Sequence, residues 1–67
     1  MLANKDPYWL FRVTQGKKQI EAANEAKINS AKLSHIENRI IRPTEDEKQR
    51  LAKVLGLAPQ DIWNEGK

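Results

Sequence analysis

The sequence has 67 residues, of which 39% are hydrophobic, so it can bury one small core and no more. It contains no cysteine and one histidine, His35, which excludes a disulfide framework and a structural zinc site, and we expect no cofactor. The formal net charge of +3 is concentrated, because residues 27–42 contain four basic residues and one acidic residue. Such an excess suits a polyanionic partner, although a solvated surface of mixed charge is the alternative interpretation.

The hydropathy of the chain gives no sign of a membrane segment. Its longest apolar run, Trp9-Leu10-Phe11, is far shorter than the roughly 20 residues that a membrane-spanning helix needs. The first residues also lack the apolar region of a secretory signal. We therefore expect a cytoplasmic protein that makes no membrane contact.

Asp6 and Pro7 predict the start of the first helix. An aspartate side chain can accept a hydrogen bond from a first-turn N–H, and proline has no N–H that would need a partner at that position. Gly16 predicts the end, because glycine tolerates the left-handed conformation that follows many helices. The first helix should therefore run from about Pro7 to Gln15. It is apolar around much of its circumference, and we expect Trp9 to reach the core.

Two short helices with a tight connection follow. The second is predicted from about Lys18 to Ala26, and the third begins after Asn29, a residue favoured as an N-terminal cap. Leu33, Ile36 and Ile40 recur at i, i+3 and i+7 and define the buried face of the third helix. The opposite face would then carry short or polar side chains, namely Ser30, Ala31, Lys32, Ser34 and His35.

The last third of the chain predicts two more helices. Thr44 and Glu47 have the spacing of a capping box, in which each side chain binds the backbone N–H of the other residue. The fourth helix should end at Gly56, and Pro59 should open a short fifth helix. No segment alternates apolar and polar residues for long, which argues against strands. The predicted fold is an all-α, compact five-helix bundle in one domain, 1–67, with residues 1–6 as a flexible arm and 64–67 as a short tail.

The spacing of these residues resembles that of a known family. The matching positions are Gly16, Gln19, Ala23, Ile28-Asn29, Leu33-Ser34-His35-Ile36-Glu37, Pro43 and Leu51-Ala52-Lys53-Val54-Leu55-Gly56-Leu57. The chain is similar, from Tyr8 to Trp63, to the phage repressor and Cro type of helix-turn-helix protein, often called the XRE family. The resemblance implies a bundle of the lambda-repressor-like type with a central helix-turn-helix. It also implies a bacterial, phage or plasmid-borne transcription regulator that binds operator DNA, usually as a dimer.

The resemblance assigns roles to individual residues. Gln19 should contact a phosphate and a side chain of the third helix, while Ser30 and Ala31 should lead base reading from a helix of about Ser30 to Asn38. It also implies a buried ion pair between Arg12 and Glu37. The full expected set of DNA contacts is Gln19, Lys27, Asn29, Ser30, Ala31, Lys32, Ser34, His35, Arg39 and Arg42.

General chemistry is consistent with these roles and leaves plainer alternatives open. Lysine and arginine neutralise phosphates, and hydroxyl and imidazole groups can bind base edges in the major groove. However, Ser30 could only support the helix start, Lys32 could be a solvated lysine, and His35 could cover the edge of the core.

The chain departs from the family pattern at three positions. Lys27 stands where a glycine is expected in the turn, and Arg39 stands where glycine often ends the third helix. A non-glycine residue in the left-handed conformation costs about 1 kcal/mol. Lys18 replaces the usual serine or threonine cap. These changes add positive charge close to the expected phosphates.

Apolar residues near the end of the third helix and the end of the chain suggest a dimer. Ile40 and Ile41 are adjacent and cannot share one helix face, so we expect at least one to face outward. The possible interface contains Ile40, Ile41, Ile62 and Trp63, and the alternative is that the thin core absorbs Ile40, Ile41 and Trp63. A two-fold contact there would set two half-sites about 34 Å apart along DNA.

Three classes of function compete. A sequence-specific DNA-binding repressor or activator is favoured, because the basic excess coincides with the third helix. The alternative is an antitoxin or antirepressor that uses the same scaffold to bind a protein. We do not expect an enzyme, because cysteine is absent and His35 has no carboxylate at helical spacing to orient it.

Overall fold

The computed structural model describes residues 5–63, which form five α-helices. They are α1 (Pro7–Thr14), α2 (Gln19–Ala26), α3 (Ser30–Glu37), α4 (Glu45–Val54) and α5 (Pro59–Ile62). No strand occurs within this range, so the predicted all-α bundle of five helices is confirmed. No helix in residues 5–63 is long and apolar enough to cross a membrane.

The helix starts follow the predicted caps. Asp6 Oδ2 accepts from the backbone N–H of Tyr8 at 3.0 Å, and Asn29 Oδ1 accepts from that of Ala31 at 2.7 Å. At the start of α4, Thr44 Oγ1 accepts from the Glu47 N–H and Glu47 Oε1 accepts from the Thr44 N–H. Gln15, Lys18 and Asn38 flank the helices as caps instead of lying inside them, so three predicted boundaries move by one residue.

The connection between α2 and α3 contains the strain that the sequence predicts. Lys27 adopts the left-handed conformation with φ 60° and ψ 44°. Arg50 of α4 stabilises this turn, since its Nη1 donates to the carbonyl oxygens of Ala26 at 2.9 Å and Lys27 at 3.3 Å. Its Nη2 also lies 2.9 Å from Asp46 Oδ2. The sequence analysis did not predict that α4 holds the turn in this way.

The core lies between α2 and α4 and extends to both ends of the described chain. Three alanines of α2, Ala22, Ala23 and Ala26, are buried, and their small side chains allow the backbone of another helix to approach closely. The remaining buried apolar residues are Tyr8, Ile28, Leu33, Ile36, Leu51, Ala52, Leu55, Ile62 and Trp63.

Ile62 and Trp63 correct the predicted dimer interface. Both are buried within a single chain, where the Trp63 ring stacks on the Tyr8 ring with centroids 5.7 Å apart. Trp63 Nε1 also donates to Asp6 Oδ2 at 2.7 Å. The two side chains therefore close the core instead of offering a surface to a second subunit. A large aromatic ring supplies much of the apolar area that so small a core can bury, which explains why Trp63 lies inside the chain and not at an interface.

The first described residues also differ from the predicted arm. The Asp6 N–H donates to the Glu37 carbonyl at 2.9 Å, and the Lys5 carbonyl accepts from Arg39 Nε at 3.1 Å. Residues 5 and 6 are thus bound to the end of α3, while residues 1–4 and the predicted tail, 64–67, lie outside the described range. Trp9 is only half-buried, with the Lys5 ammonium 5.8 Å from its ring centroid.

Tyr8 provides a test of the core. Its side chain is fully buried, burial raises the pKa of the phenol, and its hydroxyl has no hydrogen-bond partner within residues 5–63. A buried unsatisfied hydroxyl costs about 1 to 3 kcal/mol, so Tyr8→Phe should raise the free energy of unfolding by about 1 kcal/mol. Urea denaturation measures this, with Tyr8→Leu, which loses the ring stack, as a destabilised control. A Tyr8→Phe protein less stable than wild type would contradict the assignment.

Candidate nucleic-acid interface

The outer side of α3 is the centre of the candidate site. Ser30, Ala31 and His35 are exposed, whereas Leu33 and Ile36 on the other side are fully buried. The predicted division of this helix into a buried and an exposed face is therefore present. Ser34 is half-buried beside the exposed face. The exposed surface consists of small and polar groups, which permit close approach to another surface.

Lys32 was expected either to contact DNA or to be a solvated lysine, and in the structure its ammonium instead binds another side chain. Its Nζ donates to Glu47 Oε2 of α4, and Glu47 is a buried residue. The Lys32 hydrogen bond, followed by that of the Thr44 N–H, lowers the pKa of the Glu47 carboxyl. Lys32 is thus paired within the chain, although 41% of its side chain remains exposed.

Gln19 and Asn29 frame α3 at its two ends. Asn29 is exposed, but its Oδ1 is occupied by the cap of α3. Gln19 begins α2, and its Nε2 donates to Glu37 Oε1 at 3.1 Å, which is the expected contact with a side chain of the third helix. An amide nitrogen carries two N–H donors, so the second stays available for an acceptor such as a phosphate oxygen.

The predicted ion pair between Arg12 and Glu37 is present and buried. Arg12 Nε lies 2.7 Å from Glu37 Oε2 and Nη2 lies 3.0 Å from Oε1, a two-pronged arrangement that fixes both side chains. Arg12 Nη1 also donates to the Lys17 carbonyl at 2.8 Å. The pair therefore ties α1, the α1–α2 connection and the end of α3 together.

Exposed cations flank α3 on both sides. Lys27 precedes it, and Arg39 and Arg42 follow it, with Arg39 in the left-handed conformation at φ 62°. Within residues 5–63, no carboxylate forms an ion pair with any of these three side chains. Their charges are therefore available to an anionic partner.

Acidic residues limit the basic surface on the α4 side. Glu45 and Asp46, in the first turn of α4, are both exposed and follow Arg42 closely in the chain. Acids in this turn favour the helix through its dipole, but they would repel a phosphate placed directly on the start of α4. The sequence analysis did not predict this electrostatic consequence.

Two cavities border the flanking cations. One of about 360 Å³ lies between α2 and α4 and is lined by Glu25, Lys27, Arg50, Lys53 and Val54. A smaller one of about 70 Å³ is lined by Arg42, Pro43, Lys48 and Trp63. Neither is lined by an α3 side chain, and residues 5–63 contain no group of three histidine or acidic side chains that could hold a metal ion.

Ile40 and Ile41 remain exposed, in contrast to the other two residues of the predicted dimer contact. Ile40 is 68% exposed and Ile41 is 37% exposed. The prediction that Ile40 continues the buried face of the third helix is wrong, because α3 ends at Glu37 and Arg39 turns the chain in the left-handed conformation before Ile40. The N–H groups of both donate to the His35 carbonyl, which folds this segment back against the end of the helix. Two exposed apolar side chains thus stand between Arg39 and Arg42 in the chain.

Comparisons with protein families, with characterised proteins and with solved structures found no match to this chain. The functional interpretation therefore depends on the residues themselves. The structure unites the α3 face, its flanking cations and the ion pair beneath them. Lys32 does not join this set, because its ammonium binds Glu47 of α4. Ile62 and Trp63 do not join it either, because both are buried in the core.

A double-mutant cycle can test whether Arg12 and Glu37 stabilise the fold as a pair. Arg12→Met leaves Glu37 buried with no cation and should lower the free energy of unfolding by about 3 kcal/mol or more. Replacing Arg12 and Glu37 together by apolar residues should cost much less than the two single changes added together. Urea denaturation of the four proteins gives the coupling energy. Strictly additive costs would show that the two side chains do not stabilise the fold as a pair.

Proposed function

We propose that this protein is a sequence-specific regulator of transcription that binds double-stranded DNA and acts as a repressor, with α3 in the major groove. The observation that carries the proposal is the exposed face of α3, made of small and polar side chains and flanked by three cations that form no ion pair within residues 5–63. The resemblance of the sequence to the XRE family supports the same interpretation. A binding role is also favoured over catalysis, because His35 is exposed and no carboxylate within residues 5–63 orients it.

The size and chemistry of α3 fit a DNA groove. An α-helix with its side chains is about 10 to 12 Å across, and the major groove of B-form DNA is about 12 Å wide, so the eight-residue α3 can lie in it. Ser30 and His35 can donate to or accept from base edges, and the Ala31 methyl group can contact a thymine methyl group. Short side chains bring the helix backbone close to the bases, so bridging water and groove shape would contribute to base selection.

The flanking cations would hold the backbone of the DNA. Lys27 lies before α3, and Arg39 and Arg42 lie after it, so phosphates on either side of the groove have a basic partner. Gln19 would add a neutral donor through its free amide N–H and through the start of α2. Contacts of this kind position a protein on DNA without selecting a sequence.

A homodimer on a palindromic operator is part of the proposal. Ile40 and Ile41 supply an exposed apolar surface beside the basic residues, and a two-fold axis would pair this surface with itself. Two half-sites would then be read together, which raises the affinity for the full site above that for either half.

The second candidate is an antitoxin or antirepressor that binds another protein. The observation that favours it is a set of exposed large apolar side chains on α1 and at the start of α2, namely Leu10, Val13 and Ile20. The acids at the start of α4 also suit a basic protein surface better than a phosphate. This candidate predicts tight protein binding with weak, sequence-independent DNA binding.

Selection of bound fragments from random DNA tests the proposal. Replacing Ser30 and Ala31 by glutamine should change the selected bases at one or two positions per half-site, with each lost contact costing about 1 to 3 kcal/mol. The matched change outside the helix, Arg42→Ala, should weaken binding to all sequences nearly equally. If the double change left the selected sequence intact and Arg42→Ala altered it, α3 would not be the reading element. Failure of the wild type to select any sequence would favour the protein-binding candidate.

The dimer is tested separately from folding. Ile41→Lys should yield a folded monomer whose affinity for a full operator falls much more than its affinity for a half-site. Sedimentation equilibrium and circular dichroism measure assembly and helicity, and Leu10→Lys on α1 is a control of similar size and charge. An Ile41→Lys protein that assembles like wild type would exclude this surface as the contact.

A further inference from the structure

Lys32 and Glu47 form the one ion pair between α3 and α4 in the part of the chain that the structure describes. The Lys32 Nζ and Glu47 Oε2 atoms are 2.5 Å apart. The two side chains differ in environment, because that of Lys32 is 41% exposed and that of Glu47 is 9% exposed. A partly exposed cation on the candidate DNA-binding helix is thus held by a buried anion on the next helix.

Glu47 cannot follow Lys32 if the lysine moves. Its other oxygen, Oε1, accepts from the Thr44 N–H at 2.9 Å, while its own N–H donates to Thr44 Oγ1 at 3.1 Å. This capping box fixes the carboxylate at the first turn of α4. Moving the Lys32 ammonium to a phosphate would therefore leave a buried carboxylate without its cation, which is unfavourable.

We propose that Glu47 determines how selectively this protein binds DNA, by holding Lys32 away from the phosphate backbone. The proposal rests on the proposed DNA-binding function and adds a positioning residue, Glu47, that does not touch DNA itself. A lysine that reaches a phosphate strengthens binding to every sequence alike. By restraining Lys32, Glu47 keeps this sequence-independent part of the affinity small, so the neutral contacts of Ser30, Ala31 and His35 make a larger share of the difference between sites.

The test uses the salt dependence of binding to a short fluorescent duplex of mixed sequence, followed by anisotropy. Glu47→Gln keeps the capping box, because glutamine serves at this position as well as glutamate does, but it removes the charge that holds Lys32. Log affinity plotted against log salt should become steeper by about 0.9, the slope for one added phosphate contact. Between 1 M and 0.1 M salt, this corresponds to a roughly eightfold larger gain in affinity than wild type shows.

Glu45→Gln is the matched control. It removes one negative charge from the same turn of α4, but Glu45 is exposed and makes no contact with Lys32. Its slope should equal that of wild type. The gain of Glu47→Gln should disappear when Lys32→Met is added to it. A gain that persists without Lys32, or an equal gain in Glu45→Gln, would overturn the proposal, as would an unchanged slope for Glu47→Gln.

Amine labelling of the wild-type protein gives a second measurement that does not depend on how the variants fold. With mass spectrometry to locate the modified residues, Lys32 should react several-fold more slowly than the exposed Lys53 in the free protein, because its ammonium is held. Adding the duplex should lower the rate at Lys27 several-fold and change the rate at Lys32 much less. Labelling of Lys32 as fast as that of Lys53, or strong protection of Lys32 by the duplex, would overturn the proposal. If the duplex protected no lysine while Lys32 still reacted slowly, the DNA-binding function would fail and the restraint itself would stand.

Discussion

The buried ion pair of Arg12 and Glu37 is the interaction on which the candidate interface depends. Glu37 ends α3, and its carboxylate accepts from Arg12 of α1 and from Gln19 at the start of α2. A buried pair of this kind contributes little net stability compared with apolar packing, but the loss of one partner is costly. Its main effect is therefore geometric. It fixes the angle at which α3 leaves the core, and it orients an amide of α2 towards the same side.

The turn between α2 and α3 is held from the opposite direction by α4. Lys27 adopts a conformation that glycine would adopt more easily, and the carbonyl oxygens beside it are the ones that Arg50 binds. A lysine at this position keeps a positive charge next to α3, which a glycine would not provide. The strain, about 1 kcal/mol, is offset by hydrogen bonds from a charged donor. The backbone strain at Lys27 therefore accompanies a positive charge at the proposed contact surface.

Local signals in the sequence predicted most of the fold, and contacts between distant residues account for what it missed. Asp6, Asn29 and Thr44 marked helix starts because a cap depends on residues two or three positions away. The pairing of Lys32 with Glu47 and of Trp63 with Asp6 joins residues far apart in sequence, so no periodicity predicts it. Arg12 and Glu37 are also distant, and they were found only through the family resemblance. The spacing of apolar residues predicted which face of α3 is exposed. It did not predict that Lys32 pairs with Glu47.

The distribution of charge limits how strongly the candidate surface could bind a DNA backbone. Of the cations between Lys27 and Arg42, Lys32 is neutralised by Glu47, and the acids of α4 border the basic surface on one side. Under the proposed function, each chain could contact few phosphates, so a single chain would bind DNA weakly and a second chain would be needed for a stable complex. In the proposed dimer, the exposed Ile40 and Ile41 would form the contact that brings the basic residues of a second chain onto the same duplex. In this proposal, weak attraction to phosphates lets a single chain leave a non-specific site quickly. The apolar contact between two chains would keep both on matched half-sites, so the two features are complementary.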